Sequence, residues 1–143
     1  MMDVDKFLEI IENHTRREIL KKLVEGRCYP LLLSRELNLT QQAVMKHLAY
    51  LERTYMVRMC GYERNVKGPP RKMYELEGRY TLVVNLTPNI FDIKMQEIPK
   101  KKFNVNLRDA DKILKEIDKE LEEIDKKRLE LLALKDYILS MLR

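Results

Sequence analysis

The chain has 143 residues, enough for one ordinary domain with an appendage or for two small domains, which excludes a second large core. Hydrophobic residues make up 45% and charged residues 36% of the chain, and no apolar run reaches the roughly 18 residues that span a bilayer, so an integral membrane protein is excluded. The formal net charge is +5, a modest value whose distribution along the chain matters more than its size.

Three short helices are predicted in the first forty residues. Residues 4–12 carry apolar side chains at helical spacing, which predicts the first helix. Thr15 and Glu18 fit a capping box that opens a second helix, and Gly26 is expected to end it. Residues 30–37 predict two turns of a third helix, because proline is tolerated in the first turn.

The next segment completes a helix-turn-helix pattern. Residues 38–40 form a short link, and Thr40 is a good N-cap for an amphipathic helix over about residues 41–52. Two short helices joined in this way, the second capped and amphipathic, are typical of a helix-turn-helix. The apolar stripe that is expected to face the core consists of Val44, His47, Leu48 and Leu51.

Beyond residue 53 the hydrophobic period becomes strand-like. Residues 57–63 and 71–76 predict two strands of a hairpin, joined by a loop that contains a Gly-Pro-Pro sequence. Residues 80–86 are rich in β-branched side chains and predict a third strand. Apolar residues then alternate from Phe91 along a fourth strand, which Pro99 is expected to end.

The last part of the chain predicts one long helix from about Leu107 to the end, because this stretch has no Gly or Pro and its apolar residues follow a 4-3 spacing. A helix of about 36 residues is about 54 Å long and should extend beyond a domain of roughly 80 residues. Burial of the exposed stripe then requires a partner, most simply a second copy of the chain. The predicted dimerisation residues are Leu114, Ile117, Leu121, Ile124, Leu131, Leu134, Ile138 and Leu142.

Two observations leave alternatives for this helix. Arg128 and Lys135 interrupt the stripe, and a shift of register after Leu131 restores it. A helix that lies across its own domain is the alternative to pairing with a second copy.

The solvent side of the helix over residues 41–52 has an unusual composition. It carries an amide, a thioether, an ammonium and a methyl group where a solvated helix usually has paired Glu and Lys. Glutamine pairs bidentately with adenine, lysine donates to guanine or phosphate, and methionine or alanine packs on a thymine methyl group, so this side suits a DNA major groove. The hairpin supports the same placement, because residues 40–72 hold seven bases and two acids. The predicted DNA-binding residues are Thr40, Gln41, Gln42, Met45, Lys46, Ala49, Arg64, Lys67, Arg71 and Lys72.

The sequence gives no sign of catalysis. Cys28 and Cys60 form no metal-ligand spacing or disulfide framework, and His14 and His47 form no ligand pair. We therefore expect no enzymatic activity, no cofactor and no metal. Because the first residues carry acids where a secretory signal carries bases, we expect a cytoplasmic protein that does not bind membranes.

Several stretches resemble ArsR-type winged-helix repressors. Residues 39–52, LTQQAVMKHLAYLE, and 55–57, YMV, resemble their recognition helix and its exit. Residues 13–20 resemble their opening helix pair, and residues 64–74 resemble their wing. Residues 80–91 resemble the archaeal branch of the family, in which further strands and helices follow the wing. The resemblance implies a dimeric transcription regulator.

Three features depart from the family pattern. Met45 stands where many members have Ser, and Tyr55 stands where the pattern has Gly or a small residue, so the operator sequence stays open. The cysteine pairs of metal-sensing and redox-sensing relatives are absent. For Cys28 a buried structural thiol is therefore favoured over a redox role.

Together these patterns predict a mainly α protein with a small antiparallel sheet. Residues 1–79 are expected to form a winged helix-turn-helix DNA-binding domain, 80–103 an additional β-hairpin and linker, and 104–143 a long amphipathic dimerisation helix. The predicted function is a sequence-specific DNA-binding transcription regulator that acts as a homodimer. The alternative is a winged-helix module that binds another protein of the transcription machinery.

Overall fold

The computed structural model describes residues 2–143 and confirms the predicted class, a winged helix-turn-helix with small antiparallel sheets and a long C-terminal helix. The helices are α1 (Val4–Glu12), α2 (His14–Val24), α3 (Pro30–Leu37), α4 (Gln41–Arg53) and α5 (Ala110–Met141), the last preceded by a 3₁₀ turn (Leu107–Asp109). The strands are β1 (Val57–Glu63), β2 (Arg71–Leu76), β3 (Tyr80–Leu86) and β4 (Phe91–Glu97). By their contacts the residues form two units, one that ends at Thr81 and one that runs from Leu82 to Arg143.

The first unit surrounds one apolar core to which α1 to α4 and both strands of the β1–β2 hairpin contribute. On α4, Val44, Leu48 and Leu51 are completely buried, as the predicted stripe requires, whereas His47 is only half-buried at its edge. The orientation of α4 is therefore fixed by three side chains one helical turn apart. The core residues are Ile10, Ile19, Leu23, Cys28, Leu33, Val44, Leu48, Leu51, Met56, Val57 and Tyr74.

The turn between α3 and α4 has the local chemistry that a tight helix-turn-helix needs. Asn38 ends α3 in the left-handed conformation at φ 55°, which asparagine tolerates better than most residues. The Thr40 side chain accepts a hydrogen bond of 3.0 Å from the amide of Ala43, which confirms the predicted N-cap. The direction in which α4 leaves the turn is thus set by its own sequence.

The predicted capping box of α2 is wrong. The helix begins one residue earlier, at His14, and the side chain of Asn13 accepts a hydrogen bond of 3.0 Å from the amide of Arg16. Asn13 also ends α1, in an extended conformation. One residue therefore separates the two helices, which leaves Thr15 inside α2.

Strands β1 and β2 pair antiparallel and form the wing. A bulge at Cys60 shifts their register, and Gly61 accommodates the bend at φ +138°. Cys28 forms a single β-bridge with Tyr74, through hydrogen bonds of 3.0 and 2.7 Å between their backbones. The segment before α3 is therefore attached to the inner strand of the wing.

Tyr55 joins α4 to the wing in the left-handed conformation, at φ 60°. A non-glycine residue in this region costs about 1–2 kcal/mol. This is the position where the resembled family has Gly or a small residue, so the backbone geometry gives the preference a physical reason.

We expect the variant Tyr55→Gly to raise the free energy of unfolding by up to about 1 kcal/mol, because relief of the strain exceeds the entropy that glycine adds to the unfolded chain. Little burial is lost, since Tyr55 is 68% exposed. Urea unfolding followed by circular dichroism measures the change. Tyr62→Gly is the matched control: this tyrosine is 62% exposed but lies within β1, where glycine is destabilising. Equal losses in both variants would contradict the interpretation.

In the second unit, the turn of the β3–β4 hairpin contacts the C-terminal half of α5. The Asp136 carboxylate accepts hydrogen bonds from the side chains of Thr87 and Asn89, which lower the pKa of that carboxyl group. The guanidinium of Arg128 donates to Asn85 over 3.4 Å. Because Arg128 turns toward the hairpin, its position in the apolar stripe has a structural reason.

The predicted length of the last helix needs a small correction. Asn106 caps a 3₁₀ turn, and α5 proper spans 32 residues instead of about 36. All eight predicted dimerisation residues are exposed in the single chain, from 45% for Ile117 to 77% for Leu142. Among residues 2–143, no helix is long and apolar enough to cross a membrane.

Candidate nucleic-acid interface

The side of α4 opposite the core is open to solvent. The predicted residues Thr40, Gln41, Gln42, Met45, Lys46 and Ala49 are all exposed. Met45 is 39% exposed, whereas Val44 and Leu48, its neighbours on the core side, are fully buried. The helix therefore presents this face as a surface that its own unit does not cover.

Four of the predicted cations carry charge that the protein does not neutralise. Within residues 2–143, Lys46, Arg64, Lys67 and Lys72 form no ion pair. Arg58 on β1 differs from them, because it donates to Glu75 across the wing over 2.7 Å. These four cations lie on α4 and the wing, where they are available to anionic phosphates.

The start of α4 and the wing flank one cavity of about 410 Å³. Of the predicted residues, it brings together Gln41, Met45, Arg71 and Lys72. The other members of the set lie outside this cavity, at the N-cap of α4, along α4 or on the wing, and are exposed: Thr40, Gln42, Lys46, Ala49, Arg64 and Lys67. The predicted site thus consists of a cleft with an exposed helix face on one side and a basic wing on the other.

Tyr29 belongs to this cleft and was not predicted. The guanidinium of Arg71 lies 4.3 Å from the centre of the Tyr29 ring, which holds Arg71 half-buried. Tyr29 reaches this place because the adjacent Cys28 bridges Tyr74 on β2. No local pattern signals the contact, since the paired residues lie far apart in sequence.

A histidine on α4 is uncharged, and an arginine beside it contacts other residues of the same unit. Burial lowers the pKa of His47, and the nearby Arg16 and Lys46 lower it further, so this histidine is neutral at pH 7. Arg16 lies 4.5 Å from the centre of the Tyr50 ring and donates to the carbonyls of α1. Lys46 therefore supplies the positive charge in the middle of the exposed face.

The cysteines are placed as structural residues. Cys28 is buried, and burial raises the pKa of its thiol, so the thiol is protonated at neutral pH. Cys60 is half-buried in β1, and its thiol donates to the carbonyl of Met73. Among residues 2–143, no group of three or more His, Cys, Asp or Glu side chains is placed to hold a metal ion.

No family model matches the chain, and no curated protein matches it. Several solved structures are similar to about half of it. Reduced HlyU from Vibrio cholerae is 27% identical and matches over 51% of this chain and 70% of its own, with a TM-score of 0.42. The transcriptional repressor BigR from Xylella fastidiosa is 23% identical over 51% and 68%, with a TM-score of 0.42. An ArsR family transcriptional regulator is 19% identical over 52% and 70%, with a TM-score of 0.41.

Proposed function

We propose that this protein is a sequence-specific DNA-binding transcription regulator of the ArsR type, which acts as a homodimer. The observation that carries the proposal is the exposed face of α4. Its opposite side is locked into the core by Val44, Leu48 and Leu51, and its exposed side carries an unpaired lysine and an amide in place of the ion pairs of a solvated helix.

In this proposal, α4 enters the major groove and the wing lies on the backbone or in the adjacent minor groove. Gln42 and Lys46 read base edges, while Met45 and Ala49 pack on thymine methyl groups. Thr40 and Gln41 lie at the helix N-terminus, which suits a phosphate. Arg64, Lys67, Arg71 and Lys72 contact phosphates, which fix the position of the protein without reading sequence.

The exposed stripe of α5 supports a homodimer. A Leu or Ile side chain gains about 1.5–3 kcal/mol on full burial, and eight such residues are about half exposed or more in the single chain. Two copies related by two-fold symmetry place their α4 helices in successive major grooves about 34 Å apart. The expected operator is an imperfect palindrome with half-sites about one helical turn apart. The archaeal branch and the cytoplasmic location remain predictions from the sequence.

Selection of bound duplexes from a random pool tests the proposal. The expected result is one enriched motif with two inverted half-sites, whose centres lie about 10 base pairs apart. A pool that shows no enrichment would contradict sequence-specific binding. If the purified protein then formed a stable complex with one protein of the transcription machinery, the winged-helix interaction module would replace the proposed regulator.

A further inference from the structure

The second half of α5 carries a shallow groove of about 370 Å³ with an apolar base and a basic rim. The base of the groove consists of Ile124, Leu131 and Leu132. Its rim consists of Lys127, Arg128 and Lys135. Nothing in the second unit covers the stripe beside it, since Ile124 and Leu131 are 62% and 56% exposed. An apolar groove with basic edges fits an apolar strip with acidic edges.

The first half of α5 is such a strip. Its apolar stripe consists of Leu114, Ile117, Leu121 and Ile124, all of them about half exposed. The residues that flank this stripe at its edges include Asp118, Glu120 and Asp125. Residues 110–125 hold seven acids and three bases, net −4, whereas residues 126–141 hold four bases and two acids, net +2. The two halves of one helix are therefore complementary in charge.

A parallel pair of these helices in register places like charges together. Lys135 occupies a position of the 4-3 spacing, so it would meet its own copy in the interface, whereas Arg128 turns to the hairpin. Glu120 on one helix would face Asp125 on the other, because edge residues five positions apart meet in a parallel coiled coil. The two copies of Lys135 and the two Glu120–Asp125 contacts, six charged residues in each helix pair, would thus face like charges.

An antiparallel pair separates these like charges; Lys127 and Arg128 approach each other at its midpoint, where the Arg128 guanidinium turns to Asn85 of the hairpin. When the midpoint of the antiparallel pair lies near residue 127, Ile117 of one copy lies opposite Ile138 of the other. Ile124 then lies opposite Leu131. Lys135 then lies opposite the acidic segment that contains Asp118 and Glu120. The basic-rimmed groove of each copy receives the acidic-edged strip of the other, and the symmetry makes both contacts equivalent.

We propose that the α5 groove is occupied by the N-terminal half of α5 from a second copy of the chain, in antiparallel orientation. This inference rests on the proposed homodimer and adds the direction of pairing and the surfaces that meet. Attraction between unlike charges specifies the orientation, and the leucine and isoleucine side chains supply most of the stabilisation.

Salt dependence of dimerisation distinguishes the two orientations without any substitution. Sedimentation equilibrium at about 50 and 500 mM NaCl should show the dimer dissociation constant rising severalfold with salt, because the ions screen attraction between the halves. A parallel pair would be strengthened, because the same ions would screen repulsion. An unchanged or lower dissociation constant at high salt would overturn the proposal.

Cysteine cross-linking with a short bis-maleimide then reports the orientation directly. Ile117→Cys and Ile138→Cys are each expected to give no cross-linked dimer above the wild-type background from Cys28 and Cys60. An equimolar mixture of the two variants, one carrying a mass tag, should give the cross-linked heterodimer after subunit exchange. Cross-linked homodimers of either single variant, without the heterodimer, would overturn the antiparallel arrangement.

Lys127→Cys separates this inference from the proposed homodimer. It lies near the midpoint of the helix, so its two copies are level with each other in either orientation, and a longer bis-maleimide that spans the width of the pair should cross-link them whenever α5 pairs with α5. Cross-linking through Lys127→Cys together with the parallel pattern at residues 117 and 138 would refute only the orientation. Absence of cross-linking at all three positions would refute the α5 dimer itself, while binding of DNA by the protein is judged separately by the selection experiment.

Discussion

Replacement of Gln42 and Lys46 together by alanine is expected to lower affinity for the selected duplex by about a hundredfold or more. A good side-chain contact to a base edge contributes about 1–3 kcal/mol of discrimination, and about 1.4 kcal/mol corresponds to a factor of ten. Binding to random duplexes should fall much less, because only the single charge of Lys46 is lost from the phosphate-binding term. Gel retardation of both duplexes at fixed salt measures the two changes.

The matched control is Lys94→Ala with Gln96→Ala on β4. These residues have the same side-chain types, are exposed, and lie outside the first unit. Both double variants should retain their stability within about 0.5 kcal/mol per site, since no buried contact is removed. If the Gln42 and Lys46 variant kept its preference for the selected duplex, α4 would not be the element that reads the sequence.

The predicted elements agree with the structure where short-range chemistry decides them. Helix α3 has the predicted bounds because a proline begins it. Strand β1 has the predicted bounds because the spacing of apolar residues changes from helical to strand-like before it. The exposed face of α4 was predictable for a similar reason: once Val44 and Leu48 are placed in the core, the helical period fixes which residues point away. The start of α2 was missed because Asn13 and Thr15 are both good caps, and local sequence does not decide between them.

The parts that sequence could not give depend on contacts between distant segments. The place of Tyr29 under Arg71 follows from the bridge between Cys28 and Tyr74, which no periodicity encodes. The arginine at position 128 looked like a break in the stripe, and only its hydrogen bond to Asn85 shows that it faces the hairpin. A register shift is therefore not needed to explain that residue. In both cases the side chain contacts a residue that lies far away in the sequence.

Removal of the wing charges by Arg64→Ala, Lys67→Ala and Lys72→Ala is expected to weaken binding to all duplexes alike. These exposed cations have no ion-pair partner among residues 2–143, so each is available to neutralise a phosphate. Each neutralised phosphate contributes about 0.9 to the slope of log affinity against log salt, so the slope should become shallower by about 2.7 for each wing that binds. Fluorescence anisotropy between about 50 and 200 mM salt measures it.

The matched control for the wing variant is a triple variant with Lys100→Ala, Lys101→Ala and Lys102→Ala. It removes the same number of charges from an exposed segment outside the helices and strands. If binding followed net charge alone, both triple variants would change the slope equally. Salt screens charges that lie far from the duplex, so only cations that contact phosphates release counterions. The wing variant should therefore show nearly all of the change in the salt slope. In the wing variant the ratio of affinities for selected and random duplexes should stay constant, since phosphates carry no base sequence. In the α4 variant that ratio should fall strongly.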